Sequence, residues 1–354
     1  MRCGRRGPPP WEEPYFWCSV GKGTRRGACD DQRVSPVPRL RVALADALLR
    51  RVAGPDPDEA RARIHLAPGP RWFDPDSPIG RVHGDASMFV GGVRALLLQS
   101  LHPRVMTAVA EHSGYRMDPW GRLRNTATFI AATTFGTNQA AERAVAIVKA
   151  VHKRVYGTMP DGAEYSASDP HLLSWVHLGE TESFLVAHQR FGRRPLDDAG
   201  CDEYVAQTAV VARALGVEDP PVTVAGLHAQ LADFRSELAS TDAARGVATF
   251  LLHAPPVPWV VRPGYALVAS GALALLPPWA RSELGVRAPT FLDPLRRMGG
   301  AAITATIRWT LDSKAPGVAG QERLGADPAP DSGTSGSVPA LDDGRRRLRS
   351  PGAG

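Results

Sequence analysis

Histidine is the side chain best able to hold a metal or pass a proton near neutral pH, and ten of them are spread along this chain from His65 to His253. None falls in an HExxH or HxxxH pattern, and the cysteines and histidines share no zinc-knuckle spacing, so a zinc hydrolase is not supported. GxSxG, GxGxxG and phosphate-binding glycine loops are absent as well. His152 stands out because it sits among valines, with Val148, Val151 and Val155 close in sequence. An imidazole in apolar surroundings suits the iron ligand of a haem pocket, as in globins. A hydrogen-bonded core or surface histidine is the plain alternative, and one imidazole does not decide between them. His177 poses the same choice. It shares a helix face with Glu180, Thr181 and Phe184, so it either lines a pocket or is a structural histidine fixed by Glu180. His102 precedes Pro103 in a turn that starts a helix. Glu111 and His112 close that helix, where an imidazolium favours the C-terminal dipole.

The elements that must position His152 form a helical hairpin. Asp118-Pro119 is a good start signal, since Asp caps and Pro fits the first turn. The helix it opens runs to Thr134 or Phe135 and stops at Gly136. A second helix is expected over Gln139–Tyr156, closed by Gly157. The short Gly136-Thr137 turn makes the two antiparallel neighbours. Arg122 and His152 then lie at a common level, each about 20–23 Å from the turn at ~1.5 Å per residue. Arg122, Asn125 and Thr126 share one face of the first helix, and Lys149, His152 and Tyr156 share one face of the second. If those faces meet at a cavity, Arg122 and Thr126 would hydrogen-bond dioxygen opposite the iron, and Lys149 would pair with a haem propionate.

Helical patterns dominate the rest. Asp169-Pro170 repeats the start signal for a helix through Phe191. Further patterns cover Leu40–Val52, Asp85–Leu101, Asp198–Leu215, Val224–Ser240, Ala243–Leu252, Tyr265–Leu276, Trp279–Leu284 and Leu292–Leu311. Pro160–Ser166 reads as a turn or short hairpin. Gly91-Gly92 permits close approach of another helix or a flat cofactor. The fold class is all-α, a single large helical domain over 36–316. The Gly-, Arg- and Pro-rich segment 1–35 and the polar tail 317–354 cannot bury enough apolar surface to fold and are expected to be disordered.

The formal net charge of +6 gathers largely in those two ends, which argues against a nucleic-acid partner for the folded unit. Cys3, Cys18, Cys29 and Cys201 read as reduced thiols of a cytoplasmic protein, and no apolar export segment follows Arg5-Arg6. Val257–Ala280 is strongly apolar, but Arg262, Pro263 and Gly264 interrupt it. The uninterrupted remainder, Tyr265–Leu276, is too short to span a bilayer. It is a buried helix or a peripheral lipid contact.

Several separated stretches resemble one family. They are GDASMFVGGVRALLLQSLHPRVMTAVAEHSGYRMD at Gly84–Asp118, GRLRNTATFIAATTFG at Gly121–Gly136, VKAVHKRVYG at Val148–Gly157, YSASDPHLLSWVH at Tyr165–His177 and LLPPWARSELG at Leu275–Gly285. In this order they resemble the MpaB-type oxygenases, relatives of the rubber oxygenase called latex clearing protein, over roughly Ser77–Thr310. The resemblance implies a globin-like helical core holding haem b, with His152 as proximal iron ligand and Lys149 ahead of it. It also implies a distal set at Arg122, Asn125 and Thr126. Asn125 stands where that family has a lysine, and Tyr156 where it has an arginine, so the lysine cap on the iron would be missing.

The leading expectation is therefore a haem-dependent oxygenase acting with dioxygen on an apolar, isoprenoid or otherwise unsaturated substrate. The protein would supply orientation and electrostatics, and the cofactor the redox chemistry. The competing expectation is a cofactor-free helical protein that binds a lipid or a partner helix. A helix-turn-helix regulator lacks an exposed basic recognition helix. Substrate and oligomeric state leave no mark in the sequence.

Overall fold

The computed structural model describes residues 36–113, 117–255 and 257–314. The expected disordered ends, with Cys3, Cys18 and Cys29, lie outside the described residues. In chain order the helices begin with α1 (Pro36–Ala53), α2 (Pro57–Arg61), α3 (Pro78–His83), α4 (Met88–Gln99), α5 (Pro103–His112), α6 (Pro119–Phe135) and α7 (Asn138–His152). After the strands β1 (Tyr156–Thr158) and β2 (Glu164–Ser166) come α8 (Pro170–Phe191), α9 (Asp198–Leu215), α10 (Val224–Asp233) and α11 (Asp242–His253). The last three are α12 (Arg262–Leu275), α13 (Pro278–Glu283) and α14 (Asp293–Leu311). The protein is all-α, and this one short hairpin is the only sheet among the described residues.

α8 is the central rod. Asp169 starts it by accepting a hydrogen bond from His171 N, with Pro170 in the first turn. Leu172, Trp175, Leu178, Phe184 and Phe191 are buried on different sides of it, the pattern of a helix surrounded by others. α4 lies along it because position 91 has no side chain. A Cβ on Gly91 would stand 2.9 Å from Phe184 Cδ1 and 3.2 Å from Ala187 Cβ. Arg94, 1% exposed, fastens the pair by placing both guanidinium arms on Glu182, while its Nε donates to Leu275 O at 3.0 Å. α3, α9 and α10 also pack against α8.

α6 and α7 form the expected antiparallel hairpin, capped by Asp118 and Thr137, which accept from Gly121 N and Ala140 N. α7 ends at His152, not Tyr156. Its last bonds tighten to Arg154 N→Val151 O and Val155 N→His152 O, and the chain then enters β1, with Tyr156 opposite Ser166. Two causes act together. Val155-Tyr156-Gly157-Thr158 favours strand over helix. Gly157 also sits against the Tyr165 ring, where a Cβ would lie 2.5 Å from the hydroxyl. Tyr156 thus leaves the face of Lys149 and His152. The Pro160–Ser166 reading caught only the second half of this hairpin.

The apolar run Val257–Ala280 contains α12, buried through Val268 and Ala272. Among the described residues, no helix is long and apolar enough to cross a membrane. α12 crosses α14 at two glycines, where a Cβ on Gly271 would stand 2.9 Å from Gly300 Cα. Two ion pairs tie α14 down: Arg281 to Asp293, with both contacts at 2.9 Å, and Arg308 to Asp85 at 2.9 Å. Its outer face is unusual. Leu295, Met298, Ala302, Ala305 and Trp309 are exposed along one stripe with no charge among them.

Candidate functional site

α3, the second half of α6, the end of α7, α8 and α9 enclose a cavity at the core. The spacing on α8 puts His177, Glu180, Thr181 and Phe184 on one face, and all four line it. α7 adds His152, α3 adds His83, and α9 adds Tyr204 and Thr208. Apolar side chains such as Ile79, Phe129, Leu173 and Val211 complete the wall. The cavity encloses about 100 Å3. A larger groove of about 580 Å3, beside Gln189, Arg190 and Arg297, is largely open to solvent and gathers no comparable set of buried imidazoles.

His177 Nδ1 lies 3.3 Å from Thr181 Oγ1, which in turn lies 3.4 Å from Thr208 Oγ1, and Thr208 donates to Val205 O at 2.8 Å. Nε2 of His177 is buried without a hydrogen-bond partner. Burial, with some repulsion from Arg213, pulls the His177 pKa down to about 4, so the ring is neutral at pH 7. A neutral imidazole whose second nitrogen is held by a hydrogen bond is the form that binds metals. The expected alternative anchor, Glu180, is not the partner; Thr181 is.

Glu180 faces the cavity surface, so its side chain is not fully covered, yet apolar atoms surround it. Burial raises its pKa to about 7, which keeps a proton available near neutrality. It also helps burial push the Tyr204 phenol well above its ordinary value. Burial and then the neighbouring His188 hold His83 down to about 3. That ring is occupied, with Nδ1 2.8 Å from Thr134 Oγ1 and Nε2 3.3 Å from the Tyr204 hydroxyl. His152 is half-buried and its pKa is lowered by burial. The cavity thus offers two neutral imidazoles and a carboxyl that exchanges its proton near pH 7, in apolar walls.

Of the residues singled out from sequence, His152 and His177 come together here. Arg122, Asn125 and Thr126 lie one to two turns nearer the start of α6 than Phe129, Ile130 and Thr133, which supply that wall. Asn125 and Thr126 are exposed, and Arg122 is half-buried. Lys149 is exposed and donates to Ala214 O at 3.2 Å. Tyr156, on β1, is 67% exposed. Sequence reasoning did not single out His83, Tyr204 or Thr208. Glu180 carried a signal, an acid one turn from a histidine on an otherwise apolar face.

The donors are of the type a haem iron takes: Nε2 of His177 is buried without a hydrogen-bond partner and His152 opens on the same space. Room is tighter. Ligand and cofactor pockets hold about 300–1,000 Å3, so the cavity as it stands is too small for a tetrapyrrole.

Fold and site together define a helical protein built around a small apolar chamber lined by imidazoles and a carboxyl. More narrowly, the chain belongs to the family described as ER-bound oxygenase mpaB/B'/Rubber oxygenase, catalytic domain, whose model matches residues 80–309. That span includes every polar residue of the cavity described above. The family is one of oxygenases. An uncharacterized protein of Mycobacterium tuberculosis and one of Mycobacterium bovis are each 31% identical over 110 residues, which is 30% of this chain. The match spans 43% of the length of each of these curated relatives. No solved structure is significantly similar.

Proposed function

We propose that this chain is a haem b-dependent oxygenase acting with dioxygen on an apolar, unsaturated substrate. The observation that carries the reading is one apolar chamber shared by His152, the bare Nε2 of His177 and the proton-bearing Glu180. Bound haem would supply dioxygen activation and electron transfer. His152 would hold the iron, and His177 would place a second neutral imidazole at the same space. Glu180 would give or take a proton within the chamber, since its pKa of about 7 matches neutral operation. Phe129, Leu173 and Val211 would exclude water and select an apolar substrate. Arg122, Asn125 and Thr126, resembling the family's distal set, would act from the chamber's α6 edge, whereas Lys149 and Tyr156 lie outside its lining. A globin-like core is part of the same proposal, as is a cytoplasmic location with the uncharged face of α14 resting on a lipid surface.

The test is a visible spectrum with a pyridine haemochrome assay on wild type, His152→Ala and His177→Ala. Wild type should carry haem b, and His152→Ala should lose most of it. Protein without a Soret band after haem reconstitution would overturn the reading. The narrowness of the chamber favours one alternative, a cofactor-free protein that binds an apolar ligand. That protein would retain ligand affinity in His152→Ala.

A further inference from the structure

A second set of donors lies away from the chamber. His102 starts α5, His171 stands in the first turn of α8, and Glu237 ends the single-turn helix Phe234–Glu237 that follows α10. Their ligand atoms all lie within 4.8 Å of one another. His171 Nε2 is 2.9 Å from both carboxylate oxygens of Glu237, and His102 Nε2 is 3.4 Å from Oε2. His171 is separated from His177 by about 9 Å of rise along α8, and it does not line the chamber.

The second observation concerns His102. It is 2% exposed, and neither ring nitrogen makes an aligned hydrogen bond, the Glu237 contact included. A buried imidazole whose Nδ1 has no partner and whose Nε2 has only the poorly aligned Glu237 contact is costly and needs an explanation. Aromatic rings hold the donors in place. Phe234 stacks on His171 at 4.5 Å, while Trp175 and Phe234 each flank His102 at 6.2 Å.

We propose that His102, His171 and Glu237 form a binding site for a divalent transition metal of the zinc class. Two imidazoles and a carboxylate are a known zinc-type donor set that leaves a fourth position for water. Bonds of about 2.0–2.1 Å in tetrahedral array set donor atoms about 3.3–3.4 Å apart. The His102–Glu237 separation already fits. The His171–Glu237 contact must open by a few tenths of an ångström and the His102–His171 pair, within 4.8 Å, must settle to the same spacing, movements that His171 and Glu237, at 51% and 40% exposed, allow. Metal ligands must be deprotonated. Burial lowers the His102 pKa against the opposing pull of Glu237. Burial raises that of Glu237, but the His171 hydrogen bond and both imidazoles bring it below its usual value. Arg104 is the opposing charge nearby. The metal would clip α5, α8 and the turn after α10 together, and this site does not depend on the haem reading.

The experiment uses tag-free, chelator-treated full-length protein titrated with Zn2+ and Co2+. Binding is read by elemental analysis, calorimetry and the visible ligand-field bands of Co2+. Wild type should bind one ion per chain, gain thermal stability with Zn2+, and show tetrahedral Co2+ bands. His171→Gln and Glu237→Gln, at half-exposed positions, should lose at least tenfold in affinity, and His102→Asn more. His228→Asn, at an exposed position outside the cluster, should bind as wild type does. Equal affinity in wild type and Glu237→Gln, or no stoichiometric ion in wild type, overturns the proposal. None of these readouts requires haem.

Discussion

Glu180 and His177 sit one turn apart and are pushed in opposite chemical senses by the same burial. Desolvation penalises whichever form is charged, so the acid keeps its proton and the base refuses one. The consequences for stability are opposite in sign. Glu180, raised to about 7, contributes stability below its unfolded pKa, which is lost as pH rises from about 4.5 through 7. His177, lowered to about 4, contributes stability above about 6.5, which is lost as pH falls through 4. The two slopes offset one another between about pH 4.5 and 6.5, so the wild-type profile hides them. Glu180→Gln should remove the fall on the alkaline side, a change of about 2–3 kcal/mol between pH 5 and 8. Urea midpoints across that range measure it, and parallel profiles for wild type and variant would show that Glu180 has an ordinary pKa.

Between elements, glycine decides which helices meet. α12 and α14 touch backbone to backbone at Gly271 and Gly300. A side chain at 271 has no space to rotate into, because the blocking atom is a Cα. Gly271→Val should force the pair apart and cost about 1–3 kcal/mol, the range for overpacking. Gly92→Ala, inside α4 where a Cβ meets nothing within 4 Å, is the control and should raise stability by about 0.5–1 kcal/mol. Denaturant unfolding of the two variants separates a true close crossing from a general loss of backbone freedom.

For the molecule as a whole, one exposed apolar surface among the described residues is the outer stripe of α14, closed at one end by Arg41 over the Trp309 ring. A solvent-facing helix ordinarily carries charge there, whereas Leu295 and Met298 are 66% and 68% exposed. Phe291, just before the helix, is 77% exposed. A lipid surface would remove these side chains from water without any spanning helix. Leu295→Glu combined with Met298→Glu should lower partition onto phosphatidylcholine–phosphatidylserine vesicles at least tenfold. Each apolar side chain is worth about 1.5–3 kcal/mol when fully buried. Co-sedimentation checks this, and unchanged binding of the double variant would remove the stripe from any membrane role.

Local signals were enough for the all-α class, the Asp-Pro starts of α6 and α8, the α6–α7 hairpin and the shared face of His177, Glu180, Thr181 and Phe184. Each depends on residues a few positions apart, and helical geometry converts such spacing directly into placement. The end of α7 was misjudged because Tyr156 obeys a strand partner, Ser166, that helical periodicity does not reveal. The remaining groups at the cavity are of the same kind: His83, Tyr204 and Thr208 reach His177 and Glu180 only because α3 and α9 pack on α8. His102, His171 and Glu237 are farther apart still in sequence and fit no zinc spacing. Pattern along a chain reports neighbours within one element, while burial and donor clustering arise from distances between elements, which exist only once the helices have docked.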